Sequence, residues 1–125
     1  MAYTLPVRIA AHQALLNLLA AGSSGTAVLR LLDGTTTLAD LPIDHTASSV
    51  SGSTGALTLV PQSGGATWAA SGTVGLAQLI ARDATVLEDA IPVEAGFTAV
   101  TGKVVLSSLT AVSGGRVDLI SAQIG

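Results

Sequence analysis

The sequence predicts a mainly β chain: an antiparallel β-sandwich of about eight short strands, jelly-roll or immunoglobulin-like, behind a short N-terminal α-helix. Three observations predict it. Beyond residue 25 the apolar residues come in short runs punctuated by Gly, Pro, Asp and Ser, at the spacing of about 8 to 12 residues that marks sandwiches and barrels. Alternation inside several runs suits sheets with one face on a core. Only the first 24 residues carry an apolar period of three and four, the period of a helix. The chain thus divides into a helical arm, 1–24, and a β-sandwich domain, 25–125. Its 125 residues are one domain's worth of material.

The helix comes first. Thr4 can cap it, Pro6 sits where the first turn has no use for an N–H, and Gly22 is placed to end it. Ala11, Leu15, Leu18 and Leu19 recur along one stripe, with Ile9 and Leu16 beside it and Arg8, His12, Gln13 and Asn17 towards the other side. A signal peptide is disfavoured because His12, Gln13 and Asn17 interrupt the apolar core that a signal requires. The helix is expected to pack on a sheet or on a neighbouring subunit.

Strands then follow one another. Residues 26–32 form the first, Asp33-Gly34 turns it, and 37–41 return as its partner, with Pro42 keeping the segment from running much further as a central strand. Residues 47–55 read as a flexible loop or a wide hairpin tip, 56–60 as a strand and 61–65 as a turn. Trp68 lies on a short strand, 67–70. Residues 73–82 make the longest strand, turned by Asp83-Ala84-Thr85 into 86–93, which Glu88-Asp89 and Pro92 interrupt. The last pair runs through 97–101 and 104–112, and after Ser113-Gly114-Gly115 the stretch 116–124 closes the chain.

Composition argues for assembly. Apolar residues make up 49% of the chain, charged residues 10% and aromatic residues 2%, while Gly, Thr and Ser together account for 40 of 125. Roughly a quarter of an ordinary domain is charged, so the surface is short of solvating groups, and burial against other subunits would cover it. A core of small aliphatic residues also leaves an isolated protomer marginal, with stability that depends on concentration. The assembly contacts expected are Leu15, Leu18 and Leu19 on the helix and Trp68, a core anchor that could also serve as an interface hot spot.

Other classes fare worse. The absence of Cys removes disulfides and thiolate metal sites. No apolar run is long enough for a membrane-spanning helix. Net charge is −3, and Arg8, Arg30, Arg82, Lys103 and Arg116 are scattered, so nucleic acid has no cluster of cations to bind. Asp44 beside His45 could suggest acyl transfer, but neighbours in a strand point to opposite faces and no Gly-x-Ser-x-Gly elbow is present. His12 and His45 have no HxxxH, HxE or acidic cluster to support a metal site, and Asp83 with Glu88 and Asp89, which could form an exposed oxygen site for a hard cation, reads better as a solvated strand edge. Neither a catalytic residue nor a cofactor is expected.

The order of elements resembles a loose group of small virion proteins of tailed bacteriophages. The residues that carry it are AHQALLNLLAAG (Ala11 to Gly22), GTAVLRLLDG (Gly25 to Gly34), the Ser/Gly loop before Ala56-Leu57-Thr58-Leu59, the stretch from Ser71-Gly72-Thr73 to Ala81-Arg82-Asp83, and the Gly-Gly turn into Arg116-Val117-Asp118-Leu119-Ile120-Ser121. Ala84-Thr85 departs from the Gly-containing turn that often follows the Arg-Asp pair in such proteins. The resemblance implies a non-enzymatic, self-associating homo-oligomer in the virion, partnered by copies of itself and other virion proteins. A tail-tip or baseplate component comes first. Capsid decoration is the alternative, and a host-surface glycan-binding module, with Trp68 as its stacking ring, the second alternative.

Overall fold

The computed structural model describes residues 4–19, 27–44, 47–62, 66–81, 85–100 and 102–124. It is mainly β, with one N-terminal helix. Helix α1 spans Leu5–Leu19, about 22 Å at 1.5 Å per residue. Pro6 occupies its first turn, and the Arg8 N–H donates to the Thr4 carbonyl at 3.0 Å. The predicted stop at Gly22 lies outside the described residues, as do Arg82, Asp83, Ala84 and His45.

Eleven strand segments follow among the described residues: β1 (Val28–Asp33), β2 (Thr36–Pro42), β3 (Ser49–Val50), β4 (Leu57–Thr58), β5 (Gly72–Thr73), β6 (Leu76–Ile80), β7 (Val86–Ile91), β8 (Val93–Ala95), β9 (Val104–Leu106), β10 (Thr110–Ala111) and β11 (Leu119–Ile124). They form a four-stranded sheet in the order β2-β1-β6-β7, a five-stranded sheet β3-β4-β11-β9-β8, and the pair β10-β5. All pairings are antiparallel except β8 with β9.

The number exceeds the predicted eight because three runs change partners midway. Pro92 cuts the 86–93 run: it has no N–H for a ladder, so β7 stays in the four-stranded sheet while β8 crosses to pair parallel with β9. The 73–82 run divides at Val74-Gly75, whose N–H groups donate in turn to Leu109 and to Leu32. The 104–112 run divides into β9 and β10. Two predicted strands are not formed. Residues 97–100 are irregular, and around Trp68 only Thr67 bridges, to Arg116. The 47–55 segment is a hairpin tip that contains β3, tightened by Ser51, whose hydroxyl accepts the N–H groups of Ser53 and Thr54.

Register explains the core. Leu41, Leu29 and Leu79 align across β2, β1 and β6, and so do Ala39, Leu31 and Ala77; all six are buried. On the opposite face the same strands align Asp40, Arg30 and Gln78. Arg30 grips Asp40 with two hydrogen bonds, Nε to Oδ1 at 2.8 Å and Nη2 to Oδ2 at 3.2 Å. The hydrogen bond to Asp40 raises the Arg30 pKa, partial burial opposes it, and the charge of Asp40 adds to it. Leu57, Val104, Leu106 and Ala122 of the other large sheet join the same apolar cluster, with Leu19 of α1.

Candidate assembly surface

Helix α1 is seated by a glycine. Gly55 has φ +74°, and a Cβ there would lie 3.0 Å from Arg8 Cβ and 3.3 Å from Leu5 Cδ1, so only Gly permits this approach. His12 donates from Nδ1 to the Gly55 carbonyl. Below this point the helix touches β3, β4 and β7. Arg8 Nε is buried and, among the described residues, has no hydrogen-bond partner.

The predicted contacts separate on this geometry. Leu19 is 0% exposed and sits in the chain's own core, against which Leu15 and Leu16 pack. Trp68 is 6% exposed and belongs to that core as well, with its N–H donating to Gly115 and its carbonyl accepting from Gly114. Neither Leu19 nor Trp68 is on the surface. Leu18 is, at 52% exposed.

The helix is therefore turned differently from the single stripe read in the sequence. Arg8, Ile9, His12, Leu15, Leu16 and Leu19 face inward, whereas Ala11 and Leu18 face outward with Val7 and Ala14. Val7, Ala11, Ala14 and Leu18 recur at spacings of four, three and four, which places them in one line along a helix. That line is apolar and uncharged. A helix apolar on two sides gives periodicity no single face to choose, and the space above Gly55 takes Arg8 and His12 inward.

The remaining candidates are not brought together into a site. Asp44 lies at a turn in which its carbonyl accepts from the N–H and the hydroxyl of Ser48; the Ser48 hydroxyl in turn accepts the Val60 N–H at 3.0 Å. No group of three His, Cys, Asp or Glu is placed to hold a metal among the described residues. No helix among them is long and apolar enough to cross a membrane.

Sequence reasoning missed Phe97. It is 78% exposed in the irregular connection between β8 and β9, while the smaller aliphatic residues fill the core. The strand expected over 97–101 would give the ring a sheet face, and the irregular backbone found at 97–100 gives it none. Near the end of the same connection Gly102 lines a shallow depression of about 190 Å³, with Glu88, Ala90, Ile91, Pro92 and Ile124 as the other walls.

Comparisons with protein families, with curated proteins and with solved structures found no match. What the described residues define is a small β-rich module with an uncharged helical ridge and an exposed ring at Phe97.

Proposed function

We propose that this chain is a non-enzymatic structural protein of a tailed-phage virion, a self-associating module of the tail tip or baseplate region. In this proposal its partners are copies of itself and other virion proteins, and the two large sheets are the layers of a β-sandwich. The observation that carries it is the Val7-Ala11-Ala14-Leu18 line. One side of α1 is already committed to the chain's own core, and the other presents apolar groups with no ionised neighbour on the line. Exposed apolar surface of that kind marks a place where another protein sits. The virion is suggested by the resemblance of the sequence to small phage virion proteins.

The test is Leu18→Asp, compared with the unchanged chain by sedimentation velocity over a range of concentrations. Leu18 is exposed, so the fold survives, whereas a carboxylate pressed into an interface needs a partner it does not have. Loss of oligomer with an unchanged far-ultraviolet spectrum supports the proposal. Retention of the oligomer refutes the helical contact, and a monomer at every concentration refutes self-association altogether. Copy number in purified particles then separates the two virion placements: a few copies fit the tail, and hundreds fit capsid decoration. With Trp68 buried, the glycan-binding alternative loses the ring on which it stood.

A further inference from the structure

We infer that Glu88 guards the open edge of the four-stranded sheet. Its half-buried carboxylate stands in the row of core-facing side chains and keeps a further strand, a second copy's β7 included, from adding to β7. Glu88 thus confines association to other surfaces, whether or not the outward line of α1 carries it.

An edge strand presents unpaired backbone groups on which another chain can build. Three of the four edges of the two large sheets are short or covered. Along β2, the Leu38 carbonyl accepts the Ala69 N–H at 2.7 Å and the Pro42 carbonyl accepts that of Gln62 at 2.9 Å. β3 has two residues and touches α1, and β8 has three. β7 is different. Its six residues make about 20 Å of strand, and among the described residues β6 is its one ladder partner. α1 reaches β7 as well, but among the described residues no backbone group of 86–91 is hydrogen-bonded outside the ladder.

Register puts a charge on that edge. Leu41, Leu29 and Leu79 form one row across β2, β1 and β6, and the residue that continues the row on β7 is Glu88. Partners directly across a ladder share a face, and all three leucines are buried, so Glu88 looks towards the core from its margin. Its surroundings agree, for it lines the shallow depression together with Ile91 and Ile124, both members of the core. No ion pair engages Glu88 among the described residues. The carboxylate keeps its water because the sheet ends there. An added strand would extend the core past it and strip that water, which an unpaired charge opposes. A second β7 running antiparallel would also set acids against acids, since each copy brings Glu88 and Asp89, and like charges opposed across a ladder destabilise the pair. Two register shifts of β7 against β6 bend the same edge, as bulges do.

Glu88→Val and Asp89→Val, each made in the unchanged chain and in Leu18→Asp, test this by sedimentation velocity and by amide hydrogen exchange, with thermal melts to confirm folding. Both remove one negative charge and add a strand former, but Asp89 is exposed and only Glu88→Val clears the core-facing row. Glu88→Val is expected to form larger species at concentrations at least about tenfold below any at which its parent chain does so. That holds in both backgrounds, with the amides of 86–91 newly protected. Asp89→Val shifts the same concentration by under about threefold. Glu88→Gln, which keeps the shape without the charge, falls between the two. A folded Glu88→Val that sediments like its parent in both backgrounds overturns the guard. So does an Asp89→Val that matches it, because net charge then explains both. Larger species without protection at 86–91, or a Glu88→Gln that shifts nothing, overturn it as well.

Discussion

Leu18 and Leu19 are adjacent and chemically identical, yet the structure gives them opposite fates: 52% exposed for one, 0% for the other. Replacing each with Ala therefore asks whether α1 belongs to the core or hangs from it. Leu19→Ala removes three buried carbons, worth about 0.8 kcal/mol each in transfer. A residual cavity of about 60 Å³ adds roughly 1.4 kcal/mol at about 24 cal/mol per Å³, for a total of about 3–4 kcal/mol. On a domain of about 5–15 kcal/mol this is a large fraction, and it lowers the melting temperature by roughly 10 °C. Leu18→Ala stays within about 0.5 kcal/mol. Urea unfolding followed by fluorescence measures both, because Trp68 is the sole tryptophan and is buried. Protein concentration is held low and fixed so that association does not enter. If the two variants lose equal stability, or if Leu19→Ala loses under about 1 kcal/mol, the helix is not part of the core and the outward line loses its meaning.

Gly55→Ala is expected to cost about 1–3 kcal/mol in urea unfolding, from strain at φ +74° and the 3.0 Å approach to Arg8. Gly34→Ala, at φ +59° with nothing within 4 Å, carries the strain alone, so an equal loss at both sites denies the helix contact. A Cβ on Gly72 lies 2.8 Å from Asp33 Oδ2, the acceptor of the Thr73 N–H; Gly72→Ala displaces that carboxylate and costs about 1 kcal/mol. A double-mutant cycle with Asp33→Ala that proves additive would deny the coupling. Asp40→Asn lowers stability by no more than about 1 kcal/mol, since both side chains of the Arg30–Asp40 pair are a little over a third exposed. Because Asp40 raises the Arg30 pKa, that contribution is complete below the ordinary arginine range and fades only as pH rises through the raised value; a loss from this pair between pH 6 and 9 on the arginine side contradicts it. Association through apolar surface weakens on cooling and changes little with salt; a constant that strengthens in the cold and falls more than about tenfold with salt marks an ionic interface instead.

How much of this was legible depended on how far each signal reached along the chain. Asp33-Gly34 announced the β1–β2 turn because a residue at positive φ must be local, and Gly34 has φ +59°. The helix was legible for the same reason, through Pro6 and the recurrence of leucine. Pro92 was visible as an interruption, but its consequence was not: whether a broken strand resumes in its own sheet or joins another depends on which backbone lies free nearby, and β9 supplied it. The burial of Trp68 depended on Gly114 and Gly115, more than forty residues away. Facing of the helix was the deepest loss. Its inward side is set by the gap over Gly55, and no pattern within residues 5–19 records that gap.

Scarcity of charge therefore argues for assembly only after the fold has distributed the apolar residues. Had Leu18, Val7 and Phe97 been buried with the rest, a chain with 10% charged residues could present threonine, serine and glycine to water and remain alone. Instead the core closes on Leu, Val, Ile, Ala and Trp68 without them. Phe97, with more apolar surface to hide than any aliphatic residue, is left outside although burial was open to a ring as large as that of Trp68. Stability of the single chain gives no reason for that arrangement. The self-association proposed above would give one.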